Sequence, residues 1–252
     1  MLGSGSSGNA ALLATGKTRI LIDAGLSMKE LRRRLALIDE KLEDIDAILI
    51  THEHSDHVSG LPVLARNLRA AMFLSRLTEP SIEWGGPRPE RIELFQSGSG
   101  FQVGDIEVRS FGVPHDAVDP VGFAFAAGGV RIAVATDLGY VPESIKFHLK
   151  RTDLLLLEAN HDLDMLKVGP YPWAVKQRVM SRVGHLSNAA MAEFLIEDLD
   201  SSTHQLVLGH LSEHNNHPAI VEMVARQSLE QRGLPTRLVI AKHQEPSEVF
   251  LF

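Results

Sequence analysis

Five apolar runs in this chain each end on a side chain that can hold a proton or a metal ion. His52 follows DAILIT, His115 follows IEVRSFGVP, Asp137 follows RIAVAT, Glu158 follows DLLLL and His210 follows HQLVLG. Continuous apolar runs of this length read as strands covered on both faces. In α/β proteins, the loops beyond the carboxyl ends of such strands carry the chemistry. If the five ends share one rim of the fold, five polar groups meet there.

The rest of the chain supplies the elements for such a fold. AALLATGKTRILIDAG (10–25) reads as two short strands around a Gly-Lys turn. SMKELRRRLALI (27–38) reads as a helix with Met28, Leu31, Leu35 and Ile38 on one face. LPVLARNL (61–68) is a second helix, with Pro62 in its first turn. FQVGDIEVRSFGVPH (101–115) predicts a hairpin about Gly104-Asp105, and VGFAFAAGGVRIAVATD (121–137) another about Gly128-Gly129. Ser187 caps a predicted helix over 188–199, with Met191, Phe194, Leu195 and Leu199 as its apolar stripe. A helix over 219–233 closes at Gly233, and EVFLF at the carboxyl end reads as a last strand. Strands come first and then alternate with helices, twice. That order predicts an α/β chain of two mixed sheets flanked by helices, a four-layer αββα sandwich, as one domain over 1–252.

THEHSDH (51–57) crowds three histidines, an aspartate and a glutamate into one strand-end loop. Only a loop can aim His52, His54 and His57 at one place. The chain has no cysteine, so any metal must be held by nitrogen and oxygen. His52, His54 and His115 suit one ion, and Asp56, His57 and His210 suit a second. Asp137, with two carboxylate oxygens, can bridge them. Such donors favour Zn²⁺, Mn²⁺ or Fe²⁺. Two ions ~3.5–4 Å apart hold a hydroxide between them and clamp a phosphoryl oxygen. His148, His204, His214, His217 and His243 read as solvated loop histidines, while His161, close behind Glu158, has no assigned role.

The net charge of −7 argues against a polyanion binder with a uniformly basic surface. It leaves room for a nucleic-acid enzyme whose metal ions and clustered cations set the local field. No apolar run approaches the ~18–20 residues of a membrane helix. No basic region precedes an apolar stretch at the start, so a cytoplasmic location is expected. The opening GSGSSGN (3–9) has three readings: a plain turn, a phosphate-facing loop that includes Ser6 and Asn9, or a tag remnant.

At this point the residues resemble a known family. HEHSDH (52–57) matches the H-x-H-x-D-H signature of the metallo-β-lactamase superfamily, and His115, Asp137 and His210 match its later metal motifs in order. Asp23 in ILIDAG matches the aspartate that family members place behind the metal loop. The resemblance implies the αββα sandwich and a hydrolytic site with two divalent ions. SGSSGN, THEHSDHVSG, LLLLEANHD, GPYPWAVKQRVMSRVGHLSN and LVLGHLSEHNN together look like the YycJ (WalJ) group within it. That group is regarded as exonucleases acting on double-stranded DNA from the 5′ side, which implies duplex ends as substrate and DNA-repair proteins as partners. The spacing from GHLSN to LGHLSEHNN is similar to tRNase Z. By that likeness His185 is a general acid and Glu158 its partner, with Asp56 counted among the catalytic residues. The long arm with which tRNase Z grips tRNA has no counterpart, and neither has the inserted domain of the larger β-CASP nucleases.

Three functions therefore compete. The first is a metal-dependent nuclease with a bridging hydroxide as nucleophile, acting on DNA, or on RNA as a variant of the same chemistry. The second is a thioester or lactone hydrolase of glyoxalase type, which shares the metal motif. The third is a non-catalytic metal-binding regulator. Glu158 with His185 favours the nuclease, because an alkoxide leaving group needs a proton. Tyr171 and Trp173 precede a predicted helix bearing Lys176, Arg178 and Arg182; Tyr171, Trp173, Arg178, Arg182 and Asn188 are the expected DNA contacts.

Overall fold

A computed structural model describes residues 1–252. The strands fall into two mixed sheets, as expected, and the chain divides into two compact units. The first comprises Met1–Ser110, Ala117–Val121 and Lys242–Phe252; the second comprises Phe111–Asp116 and Gly122–Ala241.

The first unit opens with β1 (Ala11–Ala14) and β2 (Arg19–Ile22), followed by α1 (Met28–Ala36) and β3 (Ala47–Leu49). Two short helices, α2 (Ser55–Val58) and α3 (Leu61–Asn67), lead to β4 (Ala71–Ser75) and β5 (Ile92–Phe95). These strands form a sheet in the order β1-β2-β3-β4-β5, antiparallel at β1–β2 and parallel elsewhere. The β1–β2 turn closes because the Thr15 hydroxyl accepts from the Lys17 and Thr18 amides. α1 starts at Ser27, whose hydroxyl accepts from the Glu30 amide, and it buries Leu31 and Leu35. With Leu21, Ile48, Ile50, Leu61, Leu64 and Met72 these residues make a core. Each fully buried aliphatic side chain stabilises it by ~1.5–3 kcal/mol.

Next come β6 (Gly100–Val103), β7 (Ile106–Gly112), β8 (Val121–Ala127) and β9 (Val130–Ala135). After them lie α4 (Glu143–Leu149), β10 (Leu154–Glu158), α5 (Leu163–Val168), α6 (Trp173–Val179) and α7 (Asn188–Glu197). β11 (Gln205–Gly209), α8 (Pro218–Arg232) and β12 (Arg237–Ile240) complete the chain. The second sheet runs β12-β11-β10-β9-β8-β7-β6, with β9 to β12 mutually parallel. Its fully buried parallel strand β10, LLLLE, is the continuous apolar run read from the sequence. Met191, Phe194 and Leu195 of α7 join Leu155, Leu157, Leu206 and Leu208 in the core of the second unit. α8 ends at Gly233 with φ 65°, the left-handed cap that glycine accommodates without strain.

Three expectations need correction. EVFLF forms no strand; the last strand is β12, which pairs in parallel with β11. β4 and β5 were not expected, being short and half-buried. The segment 3–9 is an integral loop and not a tag remnant: Gly3 and Ala10 pair across its base, and Leu2 and Asn9 are buried. No helix is long and apolar enough to cross a membrane.

Candidate metal centre

In the first unit, strand register sets up the metal loop. β2 and β3 run parallel with Ile22 opposite Leu49, so Asp23 and the Thr51-His52 step leave the sheet at the same edge. Asp23 takes a left-handed turn there (φ 59°), a conformation that aspartate tolerates better than branched residues do. Its Oδ1 accepts from the Thr51 amide (2.9 Å), and its Oδ2 accepts from His57 Nδ1 (2.8 Å). Thr51 Oγ1 lies within hydrogen-bonding reach of both Asp23 oxygens and sits 3.0 Å from His52 Nδ1. The far nitrogens of His52 and His57 are thus tied to oxygen, which directs their Nε2 atoms away from the sheet. The rings of His52 and His54 lie 4.6 Å apart by centroid, and those of His52 and His57 lie 4.1 Å apart.

Two residues set this loop without any obvious motif. Asn9 Nδ2 donates to Asp56 Oδ2 (3.1 Å) and sits 3.0 Å from His57 Nε2, while its Oδ1 accepts from the Gly5 amide. Asn9 is buried, and its amide ties the opening loop to two candidate ligands. Gly25 packs so closely that a Cβ there would lie 1.7 Å from the Asp56 carbonyl oxygen. Its identity could be explained only by that tertiary contact.

In the second unit, register performs the same task for three strand ends. Ala135 pairs with Leu157, and Glu158 pairs with Gly209, so Asp137, Glu158 and His210 emerge side by side. Asp137 and His210 both take the left-handed conformation (φ 57° and 56°), a sparsely populated backbone state of the kind that clusters at functional sites. His210 Nδ1 donates to Glu158 Oε1 (2.7 Å), and His185 Nδ1 donates to the same oxygen (2.8 Å). Glu158 Oε2 accepts from the amides of Leu138 and Leu186, both at 3.0 Å. Burial alone would raise the Glu158 pKa, but the two imidazoles outweigh it and hold the carboxyl well below its ordinary range. Burial likewise opposes charge on His185; the Glu158 carboxylate overcomes this and leaves the imidazole pKa raised. His115 Nδ1 donates to the Gly184 carbonyl (3.0 Å), and burial lowers the pKa of its ring. Ligand atoms of Asp137, Glu158, His185 and His210 lie within 4.8 Å of one another.

The donor set fits divalent metal ions. His57, His115 and His210 each have Nδ1 donating to a carboxylate or carbonyl oxygen, and this outer support is what orients metal-binding imidazoles. His161, unassigned from sequence, is buried and neither ring nitrogen has a hydrogen-bond partner; burial lowers its pKa to about 4. Of the histidines expected to be solvated, His148 stacks on Phe111 and His217 accepts from the Ala219 amide as the cap of α8.

The expected DNA contacts divide. Ser6 is exposed at the tip of its loop. Trp173 is the first residue of α6 and 62% exposed, and Tyr171 sits edge-on to His214. Arg178 pairs with Asp116, and the Arg182 guanidinium lies 4.1 Å above the Tyr140 ring. Asn188, the first residue of α7, is buried, and its amide exchanges two hydrogen bonds with Asn216. Lys176 is also buried, its Nζ donating to the Lys167 carbonyl.

Imidazoles supported in this way at strand ends, beside a carboxylate-held histidine, define a metal-dependent hydrolase. The chain belongs to the metallo-β-lactamase superfamily: residues 18–211 match the beta-lactamase superfamily domain. It is 42% identical over 238 residues to the exodeoxyribonuclease WalJ of Streptococcus pneumoniae serotype 2, covering 93% of this chain and 88% of that one. To the exodeoxyribonuclease YycJ of Bacillus anthracis it is 37% identical, covering 92% and 89%. Its fold matches the metallo-beta-lactamase fold protein YhfI from Bacillus subtilis with a TM-score of 0.73 at 17% identity, over 96% of this chain and 94% of the other.

Proposed function

We propose that the protein is a metal-dependent exonuclease that degrades duplex DNA from its 5′ ends in the cytoplasm. Its relatives named exodeoxyribonuclease support this reading. The observation that carries it is the Glu158 carboxylate, which holds a candidate ligand, His210, and a proton donor, His185, by the same oxygen. An acyl hydrolase has less need of such a donor, because its leaving group departs more readily.

In this reading His52, His54 and His115 would hold one ion and Asp56, His57 and His210 a second, with Asp137 as a ligand common to both, so that residues 1–252 would serve as one functional domain. When bound, divalent ions such as Zn²⁺ or Mn²⁺ supply a water-derived nucleophile at neutral pH and neutralise charge on the phosphoryl group. Asp23 and Thr51 keep His57 and His52 in the ligating tautomer. Glu158 does the same for His210. His185 keeps Nδ1–H on Glu158 and gives the Nε2 proton to the departing sugar oxygen. Ser6, Tyr171, Trp173, Arg178 and Arg182 take the DNA, by phosphate contact or by stacking on bases.

The test sets end-labelled duplex DNA beside a lactone and a thioester, each with added Mn²⁺ and again after chelation. Metal-dependent release of nucleotides from 5′ ends, with little acyl hydrolysis, is expected. Preferential turnover of the lactone or thioester would instead make the protein an acyl hydrolase, and activity that survives complete metal removal would refute the metal centre.

A further inference from the structure

Asp116 follows His115 directly and is absent from the family's metal motif as read from the sequence. Its Oδ2 accepts from Arg178 Nε, and its Oδ1 lies 3.5 Å from His115 Nε2. The Arg178 side chain is 63% exposed and that of Asp116 is 24% exposed. Thus a carboxylate at the edge of a candidate ligand grips an arginine that otherwise faces solvent.

The way it grips matters. A guanidinium is a planar fork of N–H donors, and phosphates are taken in bidentate fashion by its edges. The contact with Asp116 is made through Nε. That restrains the long side chain, whose free rotamers would otherwise be lost on binding. The segment carrying Arg178 is itself fixed. Lys176 anchors α6 through the Lys167 carbonyl, and the His185 amide donates to the Val179 carbonyl. Gly184 lets this turn close, since a Cβ there would lie 2.2 Å from the Val179 carbonyl oxygen, and its own carbonyl accepts from His115 Nδ1. One short stretch therefore ties Arg178 to both His115 and His185.

We propose that Asp116 is a positioning residue that aims the Arg178 guanidinium at the DNA phosphate next to the one being cleaved, and so sets KM for DNA; this rests on the nuclease reading above. Asp116 touches no substrate itself. Its carboxylate holds the arginine that does.

Steady-state kinetics on duplex DNA with the metal-loaded enzyme test this, using Asp116→Ala, Asp116→Asn, Arg178→Ala and the Asp116→Ala/Arg178→Ala pair, with metal content measured for each. Arg178→Ala is expected to raise KM roughly ten-fold, the loss of one charged hydrogen-bonding contact. It should also reduce the slope of log affinity against log salt by about one. Asp116→Ala should raise KM several-fold with kcat retained, and should add nothing in the Arg178→Ala background. Asp116→Asn, which still accepts from Nε, should restore KM. A KM that falls in Asp116→Ala would show that the carboxylate only masks Arg178. Additive effects in the double variant, or loss of metal in Asp116→Ala, would show that Asp116 acts through His115; either result overturns the proposal. If the wild-type protein cleaves DNA while Arg178→Ala keeps the same KM and salt slope, this inference alone fails. If the wild-type protein leaves DNA intact, the nuclease reading fails with it.

Discussion

Replacing Glu158 with glutamine tests the centre of the second unit. Four donors converge on this fully buried carboxylate: His185 Nδ1 at 2.8 Å, His210 Nδ1 at 2.7 Å, and the amides of Leu138 and Leu186 at 3.0 Å. A glutamine has one oxygen and one NH₂ group, so it can accept on one side only. With the oxygen towards the histidines, two backbone N–H groups face an NH₂. At ~1.5–3 kcal/mol for each hydrogen bond to a charged group, that costs about 3–6 kcal/mol, a large part of the ~5–15 kcal/mol that holds a typical domain together. With the NH₂ towards the histidines, both rings must shift tautomer and carry their proton on Nε2. His210 is then no longer a ligand. Glu158→Gln therefore cannot keep both full stability and full metal content. Urea melts of the metal-free protein give the first quantity, and elemental analysis after dialysis gives the second. Metal affinity should fall ~10–100-fold where stability survives. A variant within ~1 kcal/mol of wild type that also retains its metal would refute the reasoning.

Four further outcomes follow from the same geometry. His185→Ala should lose ~10²–10⁴-fold in kcat on DNA but far less on a nitrophenyl phosphodiester, whose leaving group needs no proton; equal losses on the two would make His185 structural. Asp23→Asn weakens the support of His57 Nδ1, so metal affinity measured by competition with a chelating dye should drop ~10–100-fold, and an unchanged affinity would remove Asp23 from the centre. Gly25→Ala should displace the metal loop, because the new methyl group meets the Asp56 carbonyl; metal content unchanged from wild type would contradict this. Hydrogen bonds from Arg33 and Arg34 lower the pKa of Glu30 from 4.5 to about 2. Its contribution to stability is therefore present above pH 4.5 and fades as pH falls towards 2. Glu30→Gln should flatten the acid limb of a Tm–pH curve across that window, and an unaltered limb would show that the ion pairs are without consequence.

The strand ends were legible because burial and chemistry leave opposite marks on a sequence. A strand covered on both faces must be apolar throughout, so a histidine or acid at its end stands out, as His52, Asp137, Glu158 and His210 do. The helix caps at Ser187 and Gly233 were legible for a similar reason: each answers a local demand of the backbone. The hydrogen-bond partners of Asn9 and Asn188 were not legible. An asparagine has the same local signature whether it faces solvent or is bonded to Asp56 or Asn216, and only the fold decides which. β4 and β5 escaped because short strands are specified by their neighbours more than by their own residues. Gly25, Gly184 and Asp116 carry no local signal at all. Their importance comes from what lies across from them: the Asp56 carbonyl, the His115 ring and the Arg178 guanidinium. Local sequence determines the elements and the kinds of groups at their ends, since propensity and periodicity act over a few residues. Which groups meet is settled by strand register and close packing, and those join residues tens of positions apart.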